Sequence, residues 1–423
     1  MSRRAYHDPL HGAIVLDRQD PAEALAIDLI ETAAFQRLRR IRQLGTAFLT
    51  FHGAEGSRFT HSIGVLYLAR QALDQLRRDH PGLESHRGVL FAAALLHDIG
   101  HGPLSHSGEE MYGLRHEDWS GRLIQEHPPL RDLLEAYAPG TAQAVANLVM
   151  RGQYSNRSIK ALVSSQLDCD RLDYLLRDSY TTGTSYGRLD LERILAAFIV
   201  APDGSLAIHP KGLSAVEHYL VVRRLMYRTV YNHRLNVVGN WLLERIIALA
   251  RQRQSGQLWA DTVMAHWLWA PEQLGISDFL ANDDLRTGYH LQRWHQEAGG
   301  GLAELCGRFL ERRLLKATDV SQLSNTDQLA VLARARRLAA TAGLDPELSC
   351  GLRQRRIRGY HPYAGGLRLW DGQRLAALEH HSDLVATLSE PQQMAWVLHP
   401  REITGALRKD LKQDRLSAQI PAP

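Results

Sequence analysis

Cysteine is scarce. Cys169, Cys306 and Cys350 are the whole supply, and no two stand close together. That spacing excludes a disulfide framework and a zinc ribbon, and a reducing, cytoplasmic setting is expected. Long apolar runs are also missing. The longest, such as Val89–Leu96, have the length of a core helix, well short of the roughly 20 residues a bilayer-spanning helix needs. Met1–Tyr6 has no apolar core behind its arginines, so neither a signal peptide nor a membrane partner is expected. Excess charge of one sign is small: 50 Lys+Arg against 46 Asp+Glu leave a formal +4. That excludes wrapping by nucleic acid as an argument from charge but allows local basic pockets for anionic substrates. No internal repeat, low-complexity block or evident linker is present.

Histidine is abundant, with 21 in 423 residues, many of them between His52 and His127. A hydrophobic fraction of 44% with 23% charged residues is ordinary for a globular protein. The length predicts two domains. The Gln/Arg/Ser run near Ser255 suggests a division into 1–254 and 255–423.

Periodicity predicts mostly helices. The Pro/Gly turn at Asp8–Gly12 leads into a β-branched strand, Ala13–Leu16. Asp20-Pro21 reads as a cap followed by an N1 proline. Phe35, Leu38, Ile41 and Leu44 recur at helical spacing, with Gly45 as the C-cap. Arg37, Arg39, Arg40 and Arg42 then crowd the other face, either solvated or binding anions. Ala47–Phe51 reads as a strand. Helices are expected at 63–78, 86–98, 116–126, 129–138, 141–151, 158–166 and 171–178. Ala197–Ile208 reads as a hairpin on Asp203-Gly204. Residues 212–252 form one long helix or two. Beyond 255, helices are expected near 259–269, 281–297, 301–315 and 326–341, strands near 355–380, and a polar tail at 407–423.

The stretch Leu95–His106 carries a His-Asp doublet, His97-Asp98, and then a Gly/Pro turn with His101 and His106. Together with His61 and Asp170, the doublet offers two imidazoles and two carboxylates. That donor set suits Mn, Mg, Fe, Ni or Zn and leaves positions for water and phosphate. Each residue also has a structural account: Asp98 and Asp170 as helix caps, His97 as a core histidine.

Arg58–Ser62, His97–Pro103 and Asp168–Tyr174 resemble, in order, the H…HD…D motifs of the HD-domain phosphohydrolases. Phe35–Arg39, Gln43–Gly45, His116-Glu117 and Asp173–Asp178 add similarity to the deoxynucleoside triphosphate (dNTP) triphosphohydrolase branch, without its SAM domain, over about residues 5–250. The resemblance implies a mainly α fold: an HD-domain helical bundle with small β-hairpins and a mixed α+β C-terminal region. It implies His61, His97, Asp98 and Asp170 as ligands of a divalent metal ion, and His101, His106, Glu109 and His116 as the catalytic group beside it. His106 with Glu109 fits a general acid held by a carboxylate. Arg58, Arg171 and Arg223 would contact phosphates. Gln43, Leu44, Tyr174 and Asp178 would contact the sugar, and Tyr231 would lie near the base. Core packing is the other account of Tyr174 and Tyr231.

The activity implied is hydrolysis of a dNTP at the α-phosphorus, releasing deoxynucleoside and tripolyphosphate. Glu31, Gln36 and Arg39 match part of an allosteric nucleotide site, with Glu31 in place of Asp, and a homo-oligomer is implied as well. Two other classes compete. One is a different HD hydrolase: a nucleotidase, a (p)ppGpp hydrolase or a nucleotide phosphodiesterase. Gly359–Pro362 departs from the Gly-Tyr-Pro motif of cyclic di-GMP phosphodiesterases. The other is a nucleotide-sensing or nucleic-acid-binding module, for which basic segments such as Arg353–Arg358 leave room, with a solvated face as the default reading.

Overall fold

Apolar stripes at helical spacing do fold into helices. The computed structural model describes residues 2–150, 154–357, 360–361 and 366–413. Its architecture is 62% helical, with 21 helices and a few small sheets, so the mainly α expectation holds. Arg358, Gly359 and Pro362, singled out above, lie outside the described residues. No helix among the described residues is long and apolar enough to cross a membrane.

The chain opens with an antiparallel hairpin, Arg3–Asp8 with Gly12–Asp17. Asp8 holds its turn by accepting the N–H groups of Leu10 and His11. Asp20 then caps Pro21–Glu31 through the N–H groups of Ala22 and Glu23. Three helices build the centre. Arg58–Leu76 packs on Arg87–Leu96 and on Cys169–Thr182. Arg87–Leu96 is buried along almost its whole length, as its unbroken apolar sequence requires. The crossing of Arg58–Leu76 with Cys169–Thr182 needs Gly64, because a Cβ there would lie 2.0 Å from Asp173 Oδ1.

The C-terminal part interlocks with this bundle. Phe198–Val200 and Leu206–Ile208 pair as the expected hairpin. Arg368–Trp370 and Leu375–Ala377 then extend it to a four-stranded sheet, joined through a parallel Ile208–Leu369 pair. A three-stranded antiparallel sheet places Gln392–His399 between Lys316–Asp319 and Gly351–Ile357. One hydrophobic core runs from Ile14 to Leu398, and a smaller one gathers residues between Val320 and Leu411.

Several local expectations need correction. Phe35 to Gly45 is not one helix: Ala33–Arg37 passes into a 3₁₀ turn at Leu38–Arg40, and the chain then extends. Gly45 is not a C-cap. It has φ +52°, and a Cβ there would meet Ser107 Oγ at 2.5 Å. Ala47–Phe51 is not a strand, since Gly45–Leu49 is a 3₁₀ helix packed on Arg234–Gln252. Residues 212–252 divide into Leu213–Met226, a π turn at Tyr227–Tyr231, and Arg234–Gln252. Arg37 is not solvated but 1% exposed. The basic run is partly spoken for, with Arg353 paired to Glu244 and Arg355 to Glu110. Strands Lys316–Asp319 and Gln392–His399 carried no recognised signal.

Candidate active site

Each donor arrives from a defined helix. His61 lies in the first turn of Arg58–Leu76. His97-Asp98 follows directly where the apolar helix Arg87–Leu96 ends. Asp168, not Asp170, caps Cys169–Thr182 by accepting Arg171 N–H at 2.8 Å, which leaves Asp170 free to face the histidines. His61 Nε2 is 3.1 Å from Asp170 Oδ1 and 3.5 Å from Asp98 Oδ2. His97 Nε2 is 3.3 Å from Asp98 Oδ2 and 3.7 Å from Asp170 Oδ1.

The donor chemistry fits a divalent metal ion. Both Nε2 atoms are buried without a hydrogen-bond partner. The opposite nitrogens are engaged: His61 Nδ1 donates to Asp173 Oδ2 at 2.8 Å, and His97 Nδ1 to Ala94 O at 2.9 Å. A proton held at Nδ1 leaves the Nε2 lone pair as a ligand. His61, His97 and Asp170 form one metal-competent group. Asp98 adjoins it while also accepting from Arg58. Burial opposes a positive charge on His97, but Asp98 and Asp170 outweigh it and hold its pKa well above the ordinary value. The surroundings therefore favour a cation.

A second cluster lies alongside. Glu109 accepts from His106 Nδ1 at 2.7 Å, from the His116 backbone N–H at 2.8 Å and from His116 Nδ1. Burial alone would raise the Glu109 pKa, yet the two histidines hold it far below the carboxylate range. His101 stacks on His116 at 3.9 Å between ring centroids. Its Nε2 lies 3.2 Å from Asp98 Oδ1. Burial, with Arg58 and His116 nearby, pushes the His101 pKa well down, so it sits there as a neutral ring.

A cavity of about 450 Å³ opens onto both clusters. Asp98, Asp170, His106 and His116 form one part of its wall, and Gln43, Leu44, Arg58, Arg171, Tyr174, Asp178 and Tyr231 form the rest with their neighbours. Tyr231 Oη donates to Asp178 Oδ2 at 2.8 Å, while Asp178 Oδ1 is buried without a partner. Burial raises the Asp178 pKa to about 7. Arg223 is not on this wall. It is buried behind it, donating to Gln166 Oε1 at 2.8 Å.

Other wall residues were not foreseen. Tyr227 reaches Tyr174 at 3.2 Å from the π turn, and Asn240 accepts from Thr46 at 2.7 Å and from Ser107 at 2.8 Å. Asp173 and His11 were missed too. Asp173 lies three residues after Asp170, on the same helix face, and that spacing was the available signal. His11 Nε2 joins Asp173 Oδ1 at 2.7 Å across 162 residues, a contact for which the sequence has no local sign.

Helices that gather a histidine, a His-Asp doublet and an aspartate, with Asp98 and Asp170 on the cavity wall and the His61 and His97 rings next to them but off that wall, suit a metal-dependent phosphohydrolase. Residues 58–178 match the HD domain and residues 189–412 the HD associated region. The chain belongs to the HD-domain phosphohydrolase family. It is 36% identical over 345 residues to the uncharacterized protein YwfO of Bacillus subtilis, covering 81% of this chain and 77% of that one. It is 31% identical over 229 residues to the deoxynucleoside triphosphate triphosphohydrolase SAMHD1 homolog of Dictyostelium discoideum, covering 49% of this chain and 43% of that one. A phosphohydrolase crystal structure from Bacteroides thetaiotaomicron superimposes with TM-score 0.81 at 27% identity, over 94% of this chain and all of that one.

Proposed function

We propose that the protein hydrolyses dNTPs to deoxynucleoside and tripolyphosphate by attack of water at the α-phosphorus. The observation that carries this reading is a cavity whose wall holds Asp98 and Asp170 of the donor set, the Glu109-held His106 and His116, and Gln43, Leu44, Tyr174 and Tyr231, with His61 and His97 adjoining the two carboxylates. Similarity to SAMHD1-type triphosphohydrolases supports the choice of substrate.

A divalent ion (Mn, Mg, Fe, Ni or Zn) on those four ligands supplies charge neutralisation at phosphorus and an acidified water. The chain's own residues do the rest. Arg58 and Arg171 put positive charge on the wall that receives the triphosphate. Arg223 lies behind that wall and would act on a phosphate only through it. Gln43, Leu44 and Tyr174 line the place of the sugar, where a close fit excludes a 2′-hydroxyl. Asp178, with one oxygen unpartnered, accepts a sugar hydroxyl, and Tyr231 packs near the base. Glu109 holds Nδ1 of both His106 and His116, so that an imidazolium can give its Nε2 proton to the departing O5′. His101 stays neutral and orients His116 through their stacked rings. A homo-oligomer and an activating nucleotide belong to the same reading. Gln36, which accepts from Arg39 at 2.8 Å, and Glu31, paired with Arg4, mark the surface concerned.

Product analysis tests this. The purified protein is given single dNTPs, rNTPs and dNTP mixtures, with Mn or Mg. Deoxynucleoside plus tripolyphosphate is expected. Release of orthophosphate or pyrophosphate, or turnover of rNTPs alone, contradicts the reading.

A further inference from the structure

Between the His97-Asp98 doublet and His106, the backbone does something unusual. Leu104 and Ser105 both have positive φ, 60° and 55°. Side-chain-bearing residues adopt that region rarely, and it persists only where surrounding contacts impose it. Two such residues in succession set the direction in which His106 leaves the turn.

The contacts that impose it come from far along the chain. Leu104 N–H donates to Asp284 Oδ1 at 2.7 Å. The other carboxylate oxygen, Oδ2, accepts the N–H of Arg42 at 3.0 Å. Ser105 Oγ closes the link, donating to Arg42 O at 2.6 Å and accepting from Arg58 Nε at 2.9 Å. The same segment grips the turn a second time. Arg37, almost fully buried, donates to Asn282 O through Nη2 at 2.7 Å and to His101 O through Nη1 at 2.9 Å.

Asp284 is not serving its own helix. Asp283 caps Asp284–Glu297, accepting the N–H groups of Leu285 and Arg286. The Asp284 carboxylate turns away and is spent on two main-chain N–H groups of the other part of the chain. One belongs to the turn that carries the acid–base histidines. The other belongs to the residue before Gln43 and Leu44, on the wall expected to meet the sugar. Burial raises the Asp284 pKa to about 6. The charged groups beside it are Arg42, 3.7 Å away, and Asp283, which is itself paired with Arg40.

We propose that Asp284, within the HD associated region, is a positioning residue. It fixes the His106 turn and the Gln43–Leu44 wall relative to each other by accepting one backbone N–H from each. An aspartate is needed because both oxygens are acceptors. Asparagine would keep one bond and face the second N–H with a donor. The C-terminal region thereby completes a site to which it contributes no ligand among those named above.

The inference rests on the reading that His106 and its partners act in dNTP hydrolysis. The test compares wild type, Asp284→Asn and Asp284→Ala in the full chain, reading kcat, KM and bound metal per folded molecule. A loop displaced by about 1 Å costs about 10²-fold in rate, so kcat should fall about 100-fold in Asp284→Ala and about 10-fold in Asp284→Asn. KM should change far less than kcat, and metal content should stay at the wild-type level. A residue that only stabilises the fold would lower the melting temperature while leaving kcat per metal-loaded molecule unchanged, and that result overturns the proposal. If the alanine variant does not fold, wild-type kcat in Asp284→Asn overturns it alone. A wild type inactive on every dNTP overturns the hydrolysis reading and this inference with it.

Discussion

His61, His97 and Asp170 stand on, or at the end of, helices packed into the buried centre of the bundle. Their positions follow from regular secondary structure, and Asp173 and Ala94 O fix the ring orientations. His106 is placed differently. It follows two residues of positive φ, points toward solvent, and is steadied by Glu109 on its own short helix, while Asp284 holds the preceding Leu104 N–H across 180 residues. The two halves meet at Asp98, whose oxygens face His61 and His97 on one side and His101 on the other. On the proposed reading, metal binding and proton transfer are therefore separable. One is a property of the helical core, the other of a turn held by tertiary contacts.

Separability can be broken by experiment. The largest effect is expected for Asp170→Ala, which should lose both metal and turnover, down to background, while circular dichroism shows the fold intact. Full metal content in that variant would end the distinction between the halves. Glu109→Gln should retain the metal and lose kcat by about 10²–10⁴-fold, the usual worth of positioned proton transfer. Loss of metal there, measured by mass spectrometry, would mean the halves are one. Asp173→Asn should weaken metal affinity by about 10–100-fold, as is typical when the partner of a ligating histidine is lost. Its kcat at saturating metal should stay near wild type, and a kcat defect that added metal does not repair would move Asp173 into the chemistry.

The smallest effect concerns stability. Burial raises the Asp178 pKa from 3.8 to about 7. The folded state therefore holds a proton that the unfolded state releases between those values. The stability this contributes is complete below about pH 4 and is lost as pH rises through about 7. Asp178→Asn removes that loss, so the melting temperature of the variant relative to wild type should be higher at pH 8 than at pH 5. Parallel melting curves at both pH values would show that Asp178 does not titrate in this window.

The same contrast decides what could be read from sequence. The helices around His61, His97 and Asp170 announce themselves by apolar periodicity and by short motifs, and both histidine Nε2 atoms lie within 3.7 Å of Asp98 and of Asp170. The turn did not announce itself. Leu104 and Ser105 are not glycines, so nothing marks their positive φ, and Asp284 looks like an ordinary residue of a helix start. Ala47–Phe51 looked like a strand because its aromatic and β-branched residues suit one. Packing against Arg234–Gln252 makes it a 3₁₀ helix instead. Arg223 was expected at the phosphates and lies behind the wall. Helical spacing gives a residue's face, whereas its depth depends on what packs over it. The four-stranded sheet was half legible: its hairpin was visible from Asp203-Gly204, while its extension by Arg368–Trp370 depends on the distant pairing of Ile208 with Leu369.

Hydrolysis of a single dNTP in oxygen-18 water, with the metal present, tests the central claim most directly. Attack at the α-phosphorus predicts one labelled oxygen in tripolyphosphate and none in the deoxynucleoside. Label in the deoxynucleoside, or in orthophosphate or pyrophosphate released instead, would contradict it.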